Sequence, residues 1–275
     1  MKTIAFQGEI GAHSERAAQV FGGNDCRLMP CRTFGETFVA VQEERAQAAV
    51  VPIENSLAGS VHQNYDLLLQ HHLHITGEVI LRISHHAMAL PGVAWEQVQR
   101  VYSHPQALEQ CREFLQKRPH LETVPSYDTA GSAKLIAEQG WREAAALAST
   151  QAAEHYGLKI LHHNVESNHQ NYTRFLLLEK AAASPAENGK TSIVFSTQHI
   201  PGALFKTLAI FALRDINLIK IESRPLHGSP WNYIFYLDFE GTPTQSHCQK
   251  AIEHLGEITA FIRVLGAYEK GKVIE

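Results

Sequence analysis

The sequence predicts an α/β chain that closes with a ferredoxin-like βαββαβ unit, and three observations carry that expectation. Short apolar runs, Ala48-Ala49-Val50-Val51 and Leu176-Leu177-Leu178 among them, read as strands buried on both faces, as in a parallel sheet covered by helices. Segments with apolar residues at helical spacing, such as Phe34, Phe38 and Val41, alternate with these runs. After residue 190 the order changes to strand, helix, two strands, helix, strand, which is the split βαβ arrangement. At 275 residues, more than one domain is the natural expectation.

Taken in order, strand Thr3–Phe6 runs into the loop Gln7–Ser14 and then helix Glu15–Phe21, with Ser14 in place to act as N-cap. A strand, a glycine-bearing loop and a helix present free backbone N–H groups to an anion. Helix Thr33–Arg45 precedes strand Ala48–Val51, which delivers Pro52-Ile53-Glu54-Asn55-Ser56-Leu57-Ala58-Gly59-Ser60. That loop lies beyond the carboxyl end of its strand, where open α/β sheets bind ligands, and it carries a carboxylate, an amide and hydroxyls. Helix Tyr65–Leu69 follows, and His74–Leu90 reads as one or two strands crossing into a second lobe.

The second lobe repeats the alternation: strand Arg100–Tyr102, helix Gln106–Gln116, strand Leu121–Val124, helix Thr129–Gln139, strand Ala144–Ala148 and helix Thr150–Tyr156. Ser103 and Asp128 stand where N-caps belong. Strand Thr173–Glu179 closes this part. The Pro- and Gly-bearing stretch 181–189 suits a linker. Strand Thr191–Ser196, helix Gly202–Leu213, strands Leu218–Ser223 and Tyr233–Phe239, helix Gln245–Leu255 and strand Thr259–Leu265 complete the chain.

Asn171-Tyr172-Thr173-Arg174-Phe175 concentrates chemistry at the entry to a buried strand. Period-2 geometry puts Asn171, Thr173 and Phe175 on one side and Tyr172 and Arg174 on the other. An Arg there needs an anion, and a Thr hydroxyl there can donate into a cavity.

Composition narrows the function. Hydrophobic content of 44% and charged content of 19% are ordinary for a globular protein, and a net charge of −4 leaves no basic footprint for nucleic acid. Met1-Lys2 leads directly into a strand and no apolar run reaches the ~18 residues of a membrane span, so a cytoplasmic location and no membrane partner are expected. The 4 cysteines lack Cys-x-x-Cys spacing and read as reduced thiols. Seventeen histidines include the pairs His71-His72, His85-His86 and His162-His163, but no ligand motif accompanies them, and no metal site is expected.

Five separated motifs share one resemblance: Gly8-x-x-Gly11-x-x-Ser14, Pro52-Ile53-Glu54-Asn55-Ser56, Ser103-His104-Pro105-Gln106, Thr173-Arg174-Phe175 and Glu222-Ser223-Arg224-Pro225. Over almost its full length the chain resembles the monofunctional prephenate dehydratases that carry a C-terminal ACT regulatory domain. The resemblance implies a two-lobed, periplasmic-binding-protein-like catalytic domain at 1–180, with the active site in the cleft between the lobes. Lobe 1 would span about 1–78 plus 165–180 and lobe 2 about 79–164, with linker 181–189 and the ACT domain at 190–275.

It further implies cofactor-free conversion of prephenate to phenylpyruvate, water and carbon dioxide, a step in L-phenylalanine biosynthesis. Thr173 would be catalytic, and Ser14, Glu54, Asn55, Ser56, Ser103, Gln106, Gln110, Thr129 and Arg174 would bind substrate. Where some relatives carry a Glu, Tyr127 stands here, so that role is not carried over. L-Phenylalanine would bind as feedback effector at Gly202, Ala203, Leu204, Asn217, Leu218, Glu222, Ser223, Arg224 and Pro225, between ACT domains of a homo-oligomer, dimer or tetramer. Phe205 replaces the family's usual Val and could alter effector affinity. Two other readings stand beside this one: an arogenate dehydratase, and a non-catalytic amino-acid-binding sensor.

Overall fold

The computed structural model describes residues 1–23, 25–185, 189–226 and 232–275. They form two compact units, one of Met1–Asn64, Val79–Phe175 and Val273–Glu275, the other of Tyr65–Glu78 and Leu176–Lys272. Residues 186–188 of the expected linker lie outside the described residues. No helix among the described residues is long and apolar enough to cross a membrane.

The first unit opens with β1 (Thr3–Gln7), α1 (His13–Gly22), β2 (Arg27–Cys31), α2 (Phe34–Gln42), β3 (Ala48–Asn55) and the two-residue β4 (Gly59–Ser60). Helix α3 (His62–Gln70) and strand β5 (His74–Arg82) lead to β6 (His86–Ala89). Next come β7 (Arg100–Ser103), α4 (Pro105–Gln110), α5 (Arg112–Gln116), β8 (Glu122–Pro125), α6 (Thr129–Gln139), β9 (Ala144–Ala148), α7 (Thr150–Tyr156) and β10 (Lys159–His162). Strand β11 (Tyr172–Glu179) then returns to lie beside β3, in the order β11-β3-β1-β2. Strand β1 pairs in parallel with both β2 and β3, which places the loops after β1 and β3 at the same edge.

A second sheet runs β10-β6-β9-β7-β8, with β7 parallel to β8 and β9, and β6 antiparallel to β9 and β10. Its central strand β9 is fully buried because two cores use its two faces. Ala144, Ala146 and Ala148 pack with Ile136 and Ala152, while Ala145 and Leu147 pack with Val101 and Cys111. Small side chains on one face let α6 and α7 approach closely. Asp128 caps α6 by accepting from Gly131 N at 2.8 Å, and Ser149 caps α7 by accepting from Ala152 N at 3.0 Å.

The second unit holds β12 (Gly189–Ser196), α8 (Ala203–Ala212), β13 (Leu218–Pro225), β14 (Tyr233–Glu240), α9 (Ser246–Ile258) and β15 (Phe261–Glu269), and the last strand of the chain is β16 (Lys272–Ile274). Its antiparallel sheet runs β13-β14-β12-β15. Phe195, Leu237 and Phe239 of the sheet pack against Phe211 of α8 and Leu255 of α9.

Several expectations need correction. The helix expected over 106–116 breaks at Cys111, whose N–H is shared between Ala107 O and Leu108 O. Ser14 is not a cap: α1 begins at His13, and the capping position belongs to Ala12, whose side chain makes no hydrogen bond. Ser103 is not a cap either. Its Oγ donates to Leu147 O at 2.7 Å, and His104 Nδ1 accepts from Gln106 N at 3.2 Å in its place. Strands β2, β4, β10 and β16 were not expected from the sequence.

Candidate active site

The first unit encloses a cavity of about 350 Å³. Six of the residues expected to bind or act on substrate line it: Ser14, Asn55, Gln106, Gln110, Thr129 and Thr173. They arrive on five different elements: β3, β11, α1, α4 and α6. Phe34, Pro52, Val61, Ile83, Ala107 and Phe175 supply an apolar wall.

Four expected residues are not brought into the lining. Glu54 and Arg174 lie on the strand faces opposite Asn55 and Thr173, as period 2 requires, and Arg174 Nη1 sits 3.6 Å from Glu54 Oε2. Ser56 Oγ is engaged with the main chain, donating to Gln170 O at 3.1 Å and accepting from Tyr172 N at 2.9 Å. Ser103 is buried under Leu147, as described. Among the described residues no Lys or Arg lines this cavity.

Asn55 and Thr173, which are 118 positions apart, meet because β3 and β11 are neighbours. Asn55 Nδ2 donates to Thr173 Oγ1 at 3.0 Å and to Asn171 Oδ1 at 2.7 Å. Its Oδ1 accepts from Leu57 N at 3.0 Å and Ala58 N at 2.8 Å, so the amide cannot flip without breaking the turn after β3. Since Thr173 Oγ1 is already accepting, its hydroxyl hydrogen is the part left to donate. Thr173 is only 8% exposed, and that remaining exposure faces the cavity it lines.

The lining also holds residues that the sequence reading did not assign to the site: Gln7, His13, His85, His104, Tyr127 and Asp128. Burial lowers the pKa of His13 to about 3, helped by His85 and Arg16, and burial also lowers that of His85 despite its hydrogen bond to Gln110. Both imidazoles are neutral at pH 7. Burial raises the Asp128 carboxyl, opposed by the helix N–H groups it caps. Tyr127 stands at the rim, its hydroxyl donating to Glu9 Oε1 at 3.1 Å, with its pKa pushed up to about 12 by burial and Glu9. Lys134 Nζ joins the same Glu9 at 3.0 Å.

His85 is fixed from behind. Its amide donates to Glu166 Oε2 at 3.0 Å, and the other carboxylate oxygen lies 3.1 Å from His169 Nδ1 and 3.5 Å from Arg82 Nη2. The Glu166 side chain has 0% exposure. Replacing it with Gln keeps the shape but turns one acceptor into a donor facing the His85 N–H or Arg82. Glu166→Gln is expected to cost about 1–3 kcal/mol in a denaturant titration, the range for a buried group left unsatisfied. An unchanged midpoint would show that the carboxylate is not holding His85.

The His13 shift also sets a pH dependence. A folded-state pKa near 3, below the ordinary 6.5, means that the unfolded chain binds the proton first as pH falls. Stability is retained above pH 6.5 and lost progressively below it, by about 2 kcal/mol between pH 7.5 and 5 from this residue alone. Thermal melts of the wild type and His13→Phe at those two pH values should differ in slope, the variant being flatter. Identical slopes would contradict the buried neutral imidazole.

A family model described as prephenate dehydratase matches residues 4–183, the stretch that contains every lining residue. Arogenate dehydratase/prephenate dehydratase 2 of Arabidopsis thaliana is 48% identical over 276 residues, covering 96% of this chain and 72% of that one. The structure of prephenate dehydratase from Arthrobacter aurescens in complex with L-Phe is 32% identical, with a TM-score of 0.90 over 98% of this chain and 90% of that one. A structure of GqqA, described as a novel type of quorum quenching acylase, is 35% identical with a TM-score of 0.90 over 98% of both chains. With the family model spanning the whole cavity and a relative this similar along nearly all its length, the chain belongs to the prephenate dehydratase family.

Proposed function

We propose that the cavity carries out the decarboxylating dehydration of prephenate to phenylpyruvate. The observation that carries this reading is the Asn55–Thr173 hydrogen bond, which leaves one hydroxyl hydrogen to meet a leaving group. The ring C–O bond breaks as Thr173 gives its proton to the departing hydroxyl, which leaves as water. The electron pair of the bond to the ring carboxylate moves into the ring as carbon dioxide departs, and solvent restores the proton to Thr173. Asn55 Nδ2 stabilises the negative charge that builds on Oγ1 during the transfer. The apolar wall of Phe34, Ile83 and Phe175 suits a carboxylate that must shed its charge. The remaining anionic groups meet neutral donors, namely Ser14, Gln106, Gln110 and Thr129.

One observation favours a second substrate. The lining holds the Asp128 carboxylate and, among the described residues, no Lys or Arg, an arrangement better matched to a substrate bearing an ammonium. Arogenate, named for the plant relatives, has that group in place of the keto oxygen. Acyl hydrolysis, the activity named for GqqA, gains no support: among the described residues none of the cavity hydroxyls Ser14, Thr129 and Thr173 is hydrogen-bonded to a histidine. The test is incubation with prephenate and with arogenate, following phenylpyruvate and phenylalanine separately. Turnover of prephenate is expected. Turnover of neither would favour a sensor.

The catalytic part is read as residues 1–180, built as two lobes in the manner of a periplasmic binding protein. Residues 190–275 are read as an ACT domain that binds L-phenylalanine and feeds back on the cavity, in a dimeric or tetrameric cytoplasmic protein. Support comes from the βαββαβ order and from Gly202, which opens α8 with φ +75°. Ala203 and Leu204 line a cavity of about 160 Å³ with Thr197, Tyr233 and Phe235. Asn217 and Leu218 line two other hollows of the same unit, so one chain does not gather the whole effector set. Arg224 is held by Asp66, with Nη2 at 2.6 Å from Oδ2. The coupling would be about 1–3 kcal/mol. Titrating L-phenylalanine into the wild type and Leu204→Asp by calorimetry should show binding only to the former, and binding to both would place the effector elsewhere.

A further inference from the structure

We infer that His13 is the specificity-determining group of this site, receiving the substituent, amino or keto, beside the substrate's side-chain carboxylate. The inference rests on the dehydratase reading and names which end of the substrate this residue meets. His13 lines the cavity, yet both of its ring nitrogens are buried and neither has a hydrogen-bond partner among the described residues. A polar atom in that state costs free energy unless a ligand completes it. Among the described residues its ring packs edge-on against that of His85, with centroids 5.8 Å apart, and no hydrogen bond joins the two.

The two histidines differ in one respect that matters. Gln110 Oε1 faces His85 Nε2 at 3.0 Å, which places the proton of His85 on that nitrogen. Nothing fixes the tautomer of His13. It can turn an N–H toward a keto oxygen or a lone pair toward an ammonium. Neutral at pH 7 because of burial, it neither repels an ammonium nor competes with Thr173 as proton source.

The carboxylate next to that substituent has a place at hand. His13 is the first residue of the 10-residue helix α1, and the main-chain N–H groups of His13 and Ser14 have no protein partner among the described residues. Gly11 N is bonded to Glu15 and Ala12 N to Glu9 O, so the free donors are the two that begin the helix. Free N–H groups at the positive end of a helix bind a carboxylate, and the imidazole lies where the neighbouring atom of an α-amino or α-keto acid would sit. Thr173 and Asn55 remain for the ring hydroxyl.

The experiment measures kcat/KM for prephenate and arogenate with the wild type, His13→Phe and His13→Asn. A hydrogen bond to a charged group is worth more than one to a neutral group, so His13→Phe should lose about 10–100-fold with arogenate but only about 2–10-fold with prephenate. His13→Asn, which keeps a donor and an acceptor, should recover much of the loss with both. Equal losses on the two substrates, or none on either, would overturn the assignment. Should His13→Phe fail to fold, His13→Leu carries the same comparison; failure of both would make His13 a structural residue. A wild type that converts neither substrate would remove the dehydratase reading, and this inference with it.

Discussion

Thr173→Ala should lower kcat by about 10²–10⁴-fold, the usual worth of a positioned proton donor, with a much smaller change in KM. The reason is the direction in which charge moves. In the bound substrate the ring hydroxyl is a neutral group that any donor can satisfy. As its C–O bond breaks, negative charge accumulates on the oxygen and the Thr173 hydrogen bond strengthens. An interaction that grows toward the transition state appears in kcat rather than in KM. Thr173→Ser keeps the hydroxyl within reach of Asn55 Nδ2, 3.0 Å from Oγ1 in the wild type, and should recover much of the rate. A Thr173→Ala enzyme with near-normal kcat and a raised KM would make Thr173 a binding residue only.

Gly11→Ala should be the most damaging single methyl group in the first unit. Gly11 has φ +89°, outside the range that side chains adopt readily. A Cβ there would stand 2.5 Å from Ala152 Cα and 2.8 Å from Ala152 N, and backbone in the first turn of α7 cannot step aside as a side chain can. Ser149 Oγ also donates to Gly11 O, tying the same two segments together. Combining the strained φ with overpacking gives about 2–5 kcal/mol. Because His13 and Ser14 follow two and three residues later, activity should fall with stability. Guanidinium titration and steady-state kinetics on Gly11→Ala check both, and wild-type values in the two assays would contradict the close approach.

What the sequence disclosed and what it withheld divide along physical lines. Strands β3 and β9 are buried on both faces, so their apolar runs are unbroken and were legible. Strands β2 and β10 are sheet edges with half-exposed residues, and β2 even carries Pro30, which an edge tolerates; neither had a pattern to read. The break at Cys111 falls without a Gly or Pro to mark it. Within the site, Thr173 and Asn55 announced themselves by standing at strand ends. Their contact depends on which strands are neighbours, which local pattern does not encode. Arg174 carries the right charge for the expected substrate, but alternation along β11 turns it toward Glu54. Histidines were weighed only as metal ligands, so His13 was passed over although it adjoins Ser14; its importance comes from burial without a partner, a tertiary property.

The central claim is that Asn55 aims the Thr173 hydroxyl at the substrate, and Asn55→Asp tests it most directly. The carboxylate keeps an acceptor for Leu57 N and Ala58 N, so the turn after β3 survives, but the donor to Thr173 is gone. An acceptor in that place would draw the Thr173 hydrogen toward itself and away from the cavity. The kcat of Asn55→Asp is expected to fall to near that of Thr173→Ala, with no further fall when the two changes are combined. A near-normal kcat for Asn55→Asp, or losses that multiply in the double variant, would contradict the claim.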